Sequence, residues 1–286
     1  MSVVTYAAAK ILGALPRNAI SRAMGALCEA RVPAPVLQPI LSAYGRAYDV
    51  DWDEAAPSDQ PYSSFDAFFT RRLRPGLRPI EGDDAVMVSP ADGRLVDLGR
   101  SDGRGSLMVK GRPYTVDELV GDRDLARDLT GGGFAVVYLS PRDYHRVHSP
   151  VSGTIRRVRA IGGDRWPVNE VGEQHVPRLF VKNRRVVVEV ESPVWGRVAV
   201  VLVGAMIVGR MTVVGIDQAD VAGEHVLSPG ISLERGDELG AFHLGSTVVL
   251  LVPPDRFAGF SRDPETIRYG QSLGRARDLQ TGGARS

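Results

Sequence analysis

Three short stretches of the chain hold the side chains of acid–base and nucleophilic chemistry. "SPADG" holds Asp92, "YLSPRDYHRVHSP" holds His145 and His148, and "HLGST" holds Ser246. A carboxylate, an imidazole and a hydroxyl are the parts of a relay: the acid orients the imidazole, and the imidazole takes the hydroxyl proton. Spacing alone does not assemble them, because such groups meet in space. Each also has a structural reading. Asp92 stands in Pro-Ala-Asp-Gly, a good turn composition. Ser246 opens an apolar run, and either histidine taken alone reads as a structural residue. "HLGSTV" is not the Gly-x-Ser-x-Gly elbow, which needs a strand-turn-helix context. The two histidines have no third ligand at a recognisable metal spacing, so no metal is expected.

The elements that must position these residues differ along the chain. Residues 1–50 are rich in Ala and Leu, with Lys10, Arg17, Arg22, Arg31 and Arg46 against Glu29 and Asp49. Apolar residues at helical spacing predict two or three short amphipathic helices, broken by Pro16, Pro33, Pro35 and Pro39. Such a segment is a helical cap on a core, or a helix pair on an anionic lipid surface. Residues 51–84 read as a polar connector with one short helix in "SSFDAFFTRRL", capped by Ser63 or Ser64. Beyond it, valine-dense runs punctuated by Gly and Pro predict an α+β chain. Its catalytic core is expected to be a mostly antiparallel β-sandwich or barrel over residues 51–262, with few helices between 131 and 255. Residues 263–286 read as a polar C-terminal tail. "SPADGRL" and "SPVSGTI" share a Ser-Pro-x-x-Gly turn, and "LSPGISLERGDELG" holds a related one, a faint internal echo.

Composition excludes several classes. Lys+Arg 35 against Asp+Glu 34 leaves no global charge that argues for nucleic acid. Cys28 is the only cysteine, which excludes an intrachain disulfide and a Cys-based zinc site and fits a reducing compartment. No apolar run approaches the ~20 residues of a membrane span, and the N-terminus lacks the basic start of a signal peptide. The chain is therefore expected on the cytoplasmic side.

Taken together, the motifs resemble the phosphatidylserine decarboxylases of the pyruvoyl-dependent bacterial type. The stretches that carry this are "FDAFFTRRLRPGLRPI", "SPADG", "YLSPRDYHRVHSPVSG", "GDRWPVNE", "LFVKNRRVV", "VLVGAMIVG", "RGDELGAFHLGSTVVLL" and "RYGQSLG", between residues 65 and 274. "YDVDWDEA" adds a weaker match, and residues 211–234 are shorter than in the longer forms of the family.

The resemblance implies that the chain cuts its own Gly245–Ser246 bond. His148 is the base and Asp92 orients it. The Ser246 hydroxyl attacks the Gly245 carbonyl, the amide becomes an ester, and β-elimination followed by hydrolysis leaves a pyruvoyl group. That group is the cofactor. It forms a Schiff base with the amine of phosphatidylserine and accepts the electrons left when CO2 departs. His145 is assigned to decarboxylation, as proton donor or as holder of the substrate carboxyl.

No external cofactor or metal is implied. The expected partners are phosphatidylserine, a membrane surface, and a β chain (1–245) that stays with an α chain (246–286); a homodimer is compatible. The family's substrate places the enzyme peripherally on the cytoplasmic face of the cell membrane, with residues 1–50 as the associating segment and Trp166 at the cavity mouth. Two alternatives stay open. One is a related decarboxylase acting on another serine lipid or an amino acid, and the other is a β-sandwich binding module without catalysis.

Overall fold

The computed structural model describes residues 10, 12–168, 170–206 and 210–278, without the side chains of residues 170 and 246. The valine-dense runs form one eight-stranded sheet. In spatial order its strands are Glu224–Leu233, Gly153–Ile161, Arg185–Ser192, Gly196–Gly204, Ser246–Val252, Gly133–Leu139, Gly93–Arg100 and Thr266–Ile267. Every neighbouring pair is antiparallel.

Both faces of this sheet are covered, which is why its strands read as near-continuous apolar runs rather than alternating ones. In Ser246–Val252, Val248, Leu250 and Val252 face one core while Val249 and Leu251 face the other. Two three-stranded sheets close the first core. One orders Arg210–Val213, Glu238–His243 and Arg146–His148; the other orders Val86–Val88, Ser272–Ala276 and Phe257–Phe260. The second core is closed by the Ser106–Val109 and Arg112–Thr115 hairpin and by helices Val116–Val120, Arg123–Leu129 and Leu179–Lys182. The result is α+β with mostly antiparallel sheets in a sandwich-like arrangement. The sheet order has two ends, so no barrel closes.

Three sequence expectations change. Helices Val116–Val120 and Arg123–Leu129, capped by Thr115 and Asp122, interrupt the β-rich region. They are too short for periodicity to reveal. "LFVKNRRVVVEVE" splits into the helical turn Leu179–Lys182 and a strand that starts at Arg185. Residues 263–276, read as part of the polar tail, supply strands Thr266–Ile267 and Ser272–Ala276. Leu273 there is fully buried; one well-placed leucine in a polar stretch is a weak sequence signal.

Near the N-terminus, helices Arg17–Glu29 and Ala34–Tyr48 start at Pro16 and Pro33. Pro39 lies inside the second helix and does not break it. Its neighbours Leu37 and Leu41 are buried with Val50 and Phe68, and this packing offsets the lost backbone bond. Ser64, not Ser63, caps Phe65–Phe69, accepting from Ala67 N at 3.1 Å. Arg17 pairs with Asp164 at 2.5 Å and Arg210 with Glu29 at 2.7 Å, which ties the first helix to the sheet domain.

The Ser-Pro echo has a structural counterpart. Ser89 Oγ donates to Ala91 O at 2.8 Å and Ser149 Oγ to Val151 O at 2.7 Å. The two turns also bond each other, Val88 N to Pro150 O and His148 N to Pro90 O. Each serine is then held by a glycine turn: Gly270 N donates to Ser89 O, and Gly236 N to Ser149 O. Both glycines have positive φ, 84° and 91°, and Ile80 packs against both. In this pseudo-twofold arrangement Asp92 and Ser152 are equivalent. Asp92 Oδ1 accepts from Tyr269 N, as Ser152 Oγ accepts from Arg235 N.

Candidate active site

Strand Glu238–His243 ends two residues before Gly245–Ser246, and Ser246–Val252 starts at the serine. Between them Leu244 has φ 89°, a value L-residues rarely adopt. Strain of this kind costs roughly 1–3 kcal/mol and persists only where the surroundings over-determine it. Here they do. Phe242 N donates to His145 O, and His243 Nδ1 lies 2.8 and 2.9 Å from the two oxygens of Asp66. Gly245 itself does not carry this strain. Its φ lies outside the left-handed range, and the strain sits one residue earlier.

His145 is the histidine beside this bond. A Cβ built on Gly245 would lie 3.9 Å from His145 Nε2. The ring is fully buried against Phe69, with centroids 4.0 Å apart. Nδ1 lies 2.8 Å from Asp143 O. A carbonyl only accepts, so Nδ1 carries the proton and Nε2 keeps its lone pair. Among the described residues Nε2 has no hydrogen-bond partner. Burial pushes this imidazole down to about 3, so it is neutral at physiological pH.

His148 lies three residues on, in strand Arg146–His148. Its Nδ1 donates to Gly236 O at 2.7 Å, leaving Nε2 as an acceptor 3.3 Å from the Tyr144 hydroxyl. Its ring stacks on Tyr269, 3.8 Å between centroids and 2° between planes. Burial also lowers its pKa. Asp92 makes no hydrogen bond to it. Both Asp92 oxygens accept from Arg78, at 2.6 to 3.2 Å, and Oδ1 takes Tyr269 N as well. Asp92 therefore reaches His148 through the tyrosine that stacks on it and through its charge, which favours the protonated ring.

The Leu244–Gly245 turn meets an apolar cavity of about 730 Å³ between the N-terminal helices and the sheet domain, within the size range of small-molecule sites. Leu27, Ile40 and Tyr44 from the helices, Leu139 and Val168 from the sheet domain, and Leu244 and Gly245 are among its lining residues. Trp166, expected at the mouth, instead packs beneath Arg17, whose guanidinium lies 3.8 Å from the ring centroid; Pro167 and Val168 take the wall. Among the described residues, no three His, Cys, Asp or Glu side chains gather as a metal site. No described helix is long and apolar enough to cross a membrane.

The family model described as phosphatidylserine decarboxylase matches residues 65–275, most of the chain and every group named above except the N-terminal helices. The chain belongs to the phosphatidylserine decarboxylase family. It is 41% identical over 271 residues to the phosphatidylserine decarboxylase proenzyme of Myxococcus xanthus, covering 93% of this chain and 96% of that one. It is 41% identical to the proenzyme of Anaeromyxobacter sp., covering 92% and 95%, and 37% identical to that of Shewanella baltica, covering 93% and 95%. A decarboxylase of this family is a carboxy-lyase.

Within that family frame, His145 lies beside Gly245, which lines the cavity, and His148, Asp92, Tyr144 and Tyr269 form a second cluster. The Ser246 hydroxyl lies outside the described atoms. Sequence reading did not single out Tyr144, Tyr269, Arg78, Asp66 or His243. Tyr144 and Tyr269 stand inside the quoted stretches "YHRVH" and "RYGQSLG". Asp66 and Arg78 stand inside "FDAFFTRRLRPGLRPI", and His243 inside "RGDELGAFHLGSTVVLL".

Proposed function

We propose that this chain is a self-processing, pyruvoyl-dependent decarboxylase that converts phosphatidylserine to phosphatidylethanolamine and CO2. One observation carries the reading: Gly245 of the family motif lines an apolar cavity, beside a buried neutral histidine whose Nε2 has no partner among the described residues. In the first phase His148, oriented through Asp92, takes the Ser246 hydroxyl proton. The oxygen then attacks the Gly245 carbonyl carbon and the C–N bond breaks. Elimination of the new ester frees the Gly245 carboxylate, and hydrolysis releases the serine nitrogen as ammonia. Leu244 holds the carbonyl in one orientation, and attack from the adjacent residue has a high effective molarity.

The residues fit the resulting pyruvoyl group. The strand that would carry it is hydrogen-bonded on both sides, and the orphaned His145 Nε2 faces its end. The group supplies an electron sink for the charge left when CO2 departs. In the second phase His145 holds or moves a proton at Nε2, the Phe69 side excludes water, and the apolar cavity receives acyl chains.

A second division of labour is favoured by one distance, the 3.9 Å between His145 Nε2 and the Gly245 Cβ position. In it His145 is also the base of self-cleavage. A denaturing gel with mass spectrometry tests both. The native chain should give fragments 1–245 and 246–286, the smaller blocked and lacking the serine nitrogen. Ser246→Ala should stay whole, and normal fragments from it would sink the proposal. A His145→Ala chain that cuts normally but does not decarboxylate supports the first division; one that stays whole supports the second.

A further inference from the structure

Arg71 follows helix Phe65–Phe69 and is 6% exposed, yet it has no carboxylate within ion-pair distance among the described residues. The carboxylates whose charge it feels, Glu54 and Asp92, are both committed to Arg78, at 2.7 and 2.6 Å. Among the described residues its side chain makes one long hydrogen bond, Nη2 to Arg142 O at 3.3 Å, and its Nε is buried without a partner. An arginine keeps its charge in such a place; the Phe68 ring centroid lies 5.2 Å from its guanidinium carbon, but among the described residues no anion pairs with this buried cation. Its charge acts on His145 and on the Tyr44 hydroxyl. Tyr44, Phe65 and Phe69 line the cavity; Phe69 packs on the His145 ring, whose Nε2 lies 3.9 Å from the Gly245 Cβ position.

We infer that Arg71 is the binding residue for the phosphodiester oxyanion of the lipid substrate. The inference rests on the lipid decarboxylase reading above. A molecule with acyl chains in the apolar cavity and its amine at residue 246 must carry its phosphodiester between the two, past this guanidinium. The other oxyanion of such a substrate is the carboxylate. Pairing it with a buried cation would stabilise the ground state of a group that must leave as neutral CO2, which opposes catalysis. The phosphodiester keeps its charge throughout, and a guanidinium fork suits its geometry.

The test uses Arg71→Gln and Arg71→Lys in the full chain with monodisperse short-chain phosphatidylserine. Both variants should cut themselves at 245/246. Arg71→Gln should raise KM at least about tenfold, the equivalent of one charge-assisted hydrogen bond, with kcat nearly unchanged, and Arg71→Lys should recover part of it. Glycerophosphoethanolamine, which has the phosphodiester and no carboxylate, should inhibit the native enzyme and lose that inhibition in Arg71→Gln. L-serine, which has the carboxylate alone, should inhibit both equally. Unchanged KM, or loss of serine inhibition only, overturns the inference. If Arg71→Gln does not melt cooperatively, Arg71→Lys carries the same readouts. A native enzyme that neither cuts nor decarboxylates would refute the underlying function instead.

Discussion

Leu244 and the two histidines each hold an unfavourable state that the surroundings enforce. Both rings are neutral because burial penalises the charged form. The folded pKa lies below the unfolded value of 6.5, so protons bind the unfolded chain first as the pH falls. The stability this contributes is complete above pH about 6.5 and is lost between there and about 3. Asp66 is also held low: burial raises it, but His243 and Arg210 outweigh burial. Its contribution is lost only as the pH falls below the ordinary carboxylate range. The slope of the urea midpoint between pH about 6.5 and 4.5 should therefore belong to the histidines, and His145→Gln should flatten it. An unchanged slope would mean that this ring is already solvated. For the chemistry, Asp92→Asn should slow self-cleavage, read as precursor remaining on a time-resolved gel. It keeps the turn's shape but removes the charge that steadies the His148 imidazolium.

At the level of elements, Ser246–Val252 decides whether the cut chain stays assembled. It has seven register pairs with Gly133–Leu139 and six with Gly196–Gly204, and its side chains enter both cores. After cleavage, fragments 1–245 and 246–286 should co-elute from a sizing column in native buffer and part only in denaturant. Leu250→Ala, at a site 1% exposed, should cost about 2–5 kcal/mol and lower the urea midpoint accordingly. The helix Phe65–Phe69 sets the other side of the bond. Asp66 binds His243 and Arg210, and Arg210 in turn binds Glu29 of the N-terminal helix. Asp66→Asn should loosen the hold on His243 and slow cutting, with Asp66→Glu restoring part of the rate.

For the molecule as a whole, the N-terminal helices wall the cavity, and the proposed lipid substrate gives them a second role at a membrane surface. Leu15, two residues before the first helix, and Val36 in the second are exposed and are not among the cavity's lining residues. Cationic residues beside such apolar ones suit an anionic lipid surface. Leu15→Asp combined with Val36→Asp should abolish co-sedimentation with phosphatidylserine vesicles and leave self-cleavage intact. Loss of both would assign these residues to folding instead.

Much of this protein was legible in its residues. The family, the sheet-rich core and a serine cap at 63 or 64 rest on local patterns: valine density, capping chemistry and an ordered set of motifs; the proposed cut at Gly245–Ser246 is what the resemblance implies. Even the Ser-Pro echo was visible, as two turns of the same composition. Tertiary structure decided the rest. "YHRVH" offers two histidines with equal claims; packing put His145 beside Gly245 and stacked His148 on Tyr269, from more than a hundred residues away. It gave Asp92 to Arg78, set the strain at Leu244 and left Arg71 without a counter-ion among the described residues. Local propensity follows from neighbours in the chain. Burial, pairing and charge compensation follow from neighbours in space, and only the packed fold says who they are.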